Sequence, residues 1–96
     1  MKRAMIMHKK DNVAGALEAV AAGDSLICVP SGQSLTALED IGFGFKIALR
    51  DIAPGGEVIK YGQVMGLALA AIRAGELVHV HNVAGARGPG ARREAQ

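Results

Sequence analysis

Tryptophan is absent from this chain of 96 residues, and only three residues are aromatic: Phe43, Phe45 and Tyr61. A core with so few rings must be packed with Val, Ile, Leu, Met and Ala, and little flat apolar surface is left for stacking bases or sugars. Cysteine occurs once, at Cys28, so no disulfide can form within the chain. That fits a reducing compartment and a cytoplasmic location. Cys28 lies in the apolar run Leu26-Ile27-Cys28-Val29, where a buried, inert thiol is expected. Long apolar runs are also missing. The longest, Val64 to Ile72, is about half of a membrane span and contains Gly66, and the run after Lys2 and Arg3 stops at His8, well short of a signal peptide. Charge of one sign is scarce too. Residues 85–96 carry Arg87, Arg92, Arg93 and Glu94 and account for the net charge of +2, which leaves eight basic and eight acidic residues in a neutral body. Such a body, without interleaved basic and aromatic residues, argues against a nucleic-acid surface. No cysteine pair for zinc, nucleophilic serine elbow or Gly-rich loop opening a long helix is present, so neither self-contained catalysis nor nucleotide binding has support.

What the chain does contain is a repeated phrase: a branched apolar residue, two variable residues, then glycine. It occurs at Val20-Ala21-Ala22-Gly23, Ile41-Gly42-Phe43-Gly44, Ile52-Ala53-Pro54-Gly55 and Ile72-Arg73-Ala74-Gly75. In three copies an acid follows closely: Asp24, Glu57 and Glu76. Each copy leads into a β-prone run. Four similar corners in so short a chain describe a small, mostly β domain over residues 1–84, with glycines that serve turns rather than phosphates.

Ala4 to Met7 reads as a first strand. Asp11 is a good N-cap, Val13, Leu17 and Val20 recur at helical spacing, and Gly23 suits a helix C-terminus, so one short helix is expected over residues 12–21. Strands are expected at Ser25–Val29 and within 34–38. Phe45, Ile47 and Leu49 alternate with Lys46 and Arg50, which predicts a strand with the former three inward. Glu57 to Tyr61, Val64 to Ala68 and Glu76 to His81 complete the set. The tail, 85–96, holds Gly, Ala, Pro and Arg with little apolar area and is expected to be disordered.

Three polar groupings could carry chemistry. His79 and His81, two apart on an expected strand, would share a face with Asn82 beside them, where two imidazoles could hold a metal or handle protons. The alternative is a pair of solvated histidines on an edge strand. His8, Asp11 and Asn12 form a second group, although an N-cap would by itself account for Asp11. Lys60, Tyr61 and Gln63 form a third, in which Lys60 could neutralise an anionic ligand or simply be solvated.

The runs Ile47-Ala48-Leu49-Arg50-Asp51-Ile52, Val58-Ile59-Lys60-Tyr61-Gly62-Gln63 and Gly75-Glu76-Leu77-Val78-His79-Val80-His81-Asn82, with Asp11-Asn12-Val13-Ala14 and Asp40-Ile41 before Gly44-Phe45-Lys46, resemble a known family. The chain is similar, from about His8 to Asn82, to the small subunit or N-terminal domain of altronate and galactarate dehydratases and to the sulfolactate sulfo-lyase small subunit. The resemblance implies a SAF-type domain with a β-clip fold. It implies a β-elimination on a polyhydroxy acid, in which water (or sulfite in the sulfo-lyase branch) departs, and dependence on a divalent metal, iron in this family, at a site shared with or supplied by the large subunit. Such a metal could hold the substrate carboxylate and hydroxyl and stabilise the developing enolate.

Carried over by position, His79 and His81 would serve metal or proton handling. His8, Asp11, Asn12, Lys46, Lys60, Tyr61 and Asn82 would face the substrate, the two lysines holding its anionic group. Since the chain ends soon after Asn82, a large catalytic subunit in a separate chain is expected, and this chain alone should be inactive. Two other readings stand beside this one: a free-standing SAF-type module that binds an acidic sugar or a protein, and a purely structural β module. Exposed edge strands make a homo-oligomer plausible in isolation.

Overall fold

The structure, a computed structural model, describes residues 1–85 and contains nine strands there. β1 (Lys2–Met5) lies inside a six-stranded sheet, between β2 (Val13–Ala16) and β3 (Ser25–Val29). β4 (Ser34–Thr36) continues it beyond β3, while β5 (Lys46–Ala48) and β8 (Leu77–Val78) continue it beyond β2. Only β1 and β3 pair in parallel. A second sheet has the order β6-β7-β9, formed by β6 (Glu57–Lys60), β7 (Gln63–Ala68) and β9 (Val83–Gly85).

The expected helix over residues 12–21 is a strand instead, and no helix occurs among the described residues. Val13 to Ala16 pairs on one side with β1 and on the other with β5, so tertiary pairing satisfies its backbone. An isolated helix of that length is marginal even with good formers, and Gly15 and β-branched Val13 are poor ones. The spacing of Val13 and Val20 was real, but Val20 belongs to the first corner.

The four phrases are indeed corners, and they pair two by two. Val20 and Ile41 exchange backbone hydrogen bonds in one antiparallel bridge, and Ile52 and Ile72 do so in another. Gly23, Gly44, Gly55 and Gly75 all have φ between 78° and 93°. The next residue in each corner donates its amide to the carbonyl three residues back, the closure of a type II turn with glycine third. The four glycine amides donate to the carbonyls of Ala37, Ala16, Ala68 and Ala48. Carboxylates complete two corners: Asp24 and Asp40 accept the amides of Ala21 and Ala22, and Glu76 and Asp51 accept those of Arg73 and Ala74, all at 2.9–3.0 Å. The first corner thus matches the fourth, and the second matches the third.

Two apolar clusters fill the interior. Ala4, Ala14, Leu26, Cys28, Ile41, Ile47 and Leu49 belong to the larger, and Val13, Ala48, Ile52, Val58, Ile72 and Val78 to the smaller. Successive residues of β5 therefore serve different clusters, Ile47 one and Ala48 the other, which buries the strand on both faces. Phe45 does not face in as the alternation predicted. β5 begins only at Lys46, and Phe45 is still held by the second corner, its amide bonded to the Gly42 carbonyl at 3.0 Å. Cys28 is buried as expected, and burial pushes its thiol pKa up. Gly85 pairs with Gly66 at the end of β9, whereas the rest of the expected tail, 86–96, lies outside the described residues.

Candidate functional site

Asp11 and Asn12 stand at the entry to β2, and both are buried. The Asp11 carboxylate accepts hydrogen bonds from the amides of Tyr61 at 3.1 Å and Gly62 at 2.8 Å. Those two residues form the β6–β7 turn with φ of 57° and 74°, the two positive angles of a type I′ hairpin. Asp11 therefore caps a distant hairpin rather than a helix. Asn12 acts as an extra rung on the outer edge of β6: its Oδ1 accepts the Ile59 amide and its Nδ2 donates to the Glu57 carbonyl, both at 2.8 Å. Its own amide reaches the Ile59 carbonyl at 3.2 Å. The pair ties the second sheet to the first. His8 packs its ring against the hairpin, where a Cβ on Gly62 would meet the imidazole at 3.0 Å. Its Nδ1 accepts the Lys10 amide at 3.0 Å, which places the proton of the neutral ring on Nε2.

The hairpin fixes Lys60, and β5 fixes Lys46. Lys46 was expected to point to solvent, yet it is half-buried and lines an open cleft of about 290 Å³. His79, Met65 and Val80 form other parts of its wall, with Val58, Val78 and Val83 from the smaller core cluster. Burial holds the Lys46 ammonium below the usual lysine range, and the charge of Lys60 adds to the effect. Lys60 lines a second cleft of about 210 Å³ with Met5, Met7, Phe43 and Tyr61, and its Nζ sits 5.0 Å from the Tyr61 ring centre. Lys46 and Lys60 thus line separate clefts, close enough for the charge of one to act on the other, and neither forms an ion pair among the described residues.

His79 and His81 do not share a strand face. β8 stops at Val78, because the Asn82 side chain turns the chain back: its Oδ1 accepts the His79 amide at 2.9 Å and its Nδ2 donates to the Leu77 carbonyl at 2.7 Å. A backbone bond from Asn82 to the His79 carbonyl closes the turn. His79 stacks on Phe45 with ring centres 5.0 Å apart and overlooks the Lys46 cleft, while His81 is exposed in the same turn. No three His, Cys, Asp or Glu side chains converge on a metal position among the described residues.

The structure brings Lys46 and His79 together on one cleft and Lys60 and Tyr61 on another, with His8 against the hairpin at Gly62, while Asp11, Asn12 and Asn82 have their polar atoms engaged in holding the turns. A family model described as the altronate/galactarate dehydratase SAF domain matches residues 2–86. The chain belongs to that family. It is 47% identical over 76 residues to altronate dehydratase of Escherichia coli, an alignment covering 79% of this chain and 15% of that protein. With altronate dehydratase of Bacillus subtilis it shares 40% identity over 82 residues, 85% of this chain and 16% of the relative. The chain thus spans about a sixth of the length of these two relatives. It is also 38% identical over 84 residues to the (2R)-sulfolactate sulfo-lyase subunit alpha of Chromohalobacter salexigens, covering 81% of this chain and 89% of that subunit.

Sequence reasoning missed the carboxylates of Asp40 and Asp51 and the exposed apolar rim of the SAF domain. A signal for the first existed: both acids stand directly before the branched residue of a corner, as Asp40-Ile41 and Asp51-Ile52. The second left no pattern, because the rim is assembled from separate elements. No helix among the described residues is long and apolar enough to cross a membrane.

Proposed function

We propose that this SAF domain is the small subunit of a two-component, metal-dependent sugar-acid dehydratase of the altronate–galactarate type, acting with a large subunit in a separate chain. The observation that carries the proposal is the pair Lys46 and Lys60, two like charges without an acidic partner among the described residues, the first of them on a cleft with His79. An anionic group placed between them would relieve their repulsion and the desolvation of Lys46, and a substrate carboxylate is such a group. The match over 89% of a sulfo-lyase subunit alpha supports a domain of this kind working as a subunit.

In this reading Lys46 and Lys60 hold the carboxylate and withdraw charge from the α-carbon, which acidifies the α-proton. His79 and His81 handle protons at the mouth of the cleft, and the Asp11-capped hairpin, with Tyr61 and His8 against it, fixes Lys60. Since the described residues do not assemble a metal site, the iron expected of this family would be held largely by the large subunit. The sulfo-lyase branch, in which sulfite rather than water departs, is the nearest alternative. A non-catalytic SAF-type module binding an acidic sugar or a protein is the other.

The test is an anaerobic copurification of the tagged chain from its native cytoplasm with iron retained. One large stoichiometric partner and dehydration of a polyhydroxy acid by the eluate are expected, and release of sulfite from sulfolactate would select the other branch. Full turnover after His79→Ala and His81→Ala would remove those two residues from the mechanism. Binding of a small acid by the chain alone, with no large partner, would establish the module.

A further inference from the structure

The buried interior of this domain contains no aromatic side chain, whereas every aromatic residue of the chain is on the outside. Phe43 is 71% exposed, Tyr61 56% and Phe45 42%, and Val80 and Met65 beside them are 78% and 49% exposed. They line two clefts. Phe43 and Tyr61 line the Lys60 cleft, Met65 and Val80 line the Lys46 cleft, and Phe45 stacks on His79 at the latter. Rings usually supply core volume, and where they gather at a surface around a few charges they mark protein contacts.

We infer that the face carrying Phe43, Phe45, Tyr61, Met65 and Val80 is the surface on which a second, different protein chain docks, with apolar groups over the rings and an acidic residue directed toward Lys46 and Lys60. The inference rests on the two-chain reading above and identifies where the two chains meet. Charge selects the occupant. A second copy related by a two-fold axis passing near the lysines would set them against the same lysines. The remaining segment of this chain, 86–96, carries three arginines and one acid, which is again the wrong sign. A sugar acid could neutralise the lysines but could not cover five large apolar side chains. Nucleic acid would need more than two lysines on an otherwise neutral body. An apolar partner surface with acids fits all of these constraints, and closing it over the clefts would enclose Lys46, Lys60 and His79 in a water-poor site.

The experiment co-expresses the full chain with the tagged companion subunit of the Chromohalobacter salexigens sulfo-lyase, whose alpha subunit this chain matches. Recovery is compared for wild type, Phe43→Asp, Val80→Asp, Lys60→Glu and the control Leu38→Asp, which is exposed but lines neither cleft. Wild type and the control are expected to copurify in stoichiometric amount, and the other three to fall by about tenfold or more. Circular dichroism shows whether each variant is folded, and Lys60→Glu tests the face by charge alone. Equal recovery of all five overturns the inference, as does failure to recover the wild type. The inference is equally overturned if the free wild-type chain dimerises and Phe43→Asp abolishes it, or if the face binds single-stranded RNA. Docking without release of sulfite from sulfolactate leaves the interface standing and removes the sulfo-lyase alternative.

Discussion

The Asp11 carboxylate and the Gly62 amide, 51 residues apart in the chain, are joined by a hydrogen bond of 2.8 Å. Through it, the start of β2 holds the hairpin that carries Lys60. Replacing Asp11 by Ala removes a charged acceptor from two part-buried amides, each such hydrogen bond being worth about 1.5–3 kcal/mol. We expect Asp11→Ala to lose about 2–4 kcal/mol in urea unfolding. Hydrogen exchange at Tyr61 and Gly62 should accelerate before that of β1 and β3. Unchanged protection at those two amides would show that the turn holds itself.

Two corner glycines of equal φ separate two costs. A Cβ on Gly23 would meet nothing within 4 Å, so Gly23→Ala should cost only the left-handed backbone penalty of about 1–2 kcal/mol. At Gly75 the Cβ would run into the carbonyl of Thr36, and neighbouring Leu38 donates its amide to the Gly75 carbonyl at 2.9 Å. Gly75→Ala should therefore cost more than 3 kcal/mol or prevent folding. Comparable midpoints for the two variants in thermal melts would contradict this.

Asp40 and Asp51 play the same part in equivalent corners, each accepting one alanine amide at the surface. Asp40→Ala and Asp51→Ala should each lower stability by roughly 1 kcal/mol. The sites share no partner, so the double variant should lose about the sum. Denaturation of the three variants side by side checks both statements.

Lys46 makes stability depend on pH in a definite direction. Its folded pKa is below 10.5, through burial first and the charge of Lys60 second. A lysine so shifted weakens the folded state wherever it is charged in both states. The penalty is present in full below the folded pKa, and it is relieved as pH rises from there toward 10.5. Lys46→Met should raise the urea midpoint at pH 7, and the advantage should shrink as the pH passes into the lysine range. NMR titration of the Lys46 Nζ should also show its pKa rising in Lys60→Met. An unaltered value there would mean that the two ammoniums do not sense each other.

Much of the fold was legible. Ser25–Val29 stood out by composition, and the four corners by their shared phrase, because a turn that needs positive φ leaves a glycine in a fixed place. The missed helix shows where such reading fails. Val13-Ala14-Gly15-Ala16 has no strand alternation, since its core neighbours lie on both sides, and β1 and β5 override a weak local preference. The site divides in the same way. Lys46 and His79 were singled out and do line one cleft, and Lys60 lines another, but the shared strand face of His79 and His81 dissolved in a turn closed by Asn82.

By itself the sequence determined where the chain turns and what its interior is made of, and its motifs placed it with the dehydratase SAF domains. Those are local or additive properties: a glycine at a positive φ, a carboxylate beside an amide, the apolar volume available. The tertiary structure alone decided what Asp11 and Asn12 bind, that the charge of Lys60 acts on a half-buried Lys46, and that the aromatic residues stay outside. Those depend on contacts between residues far apart in the chain, whose geometry no short stretch of sequence carries.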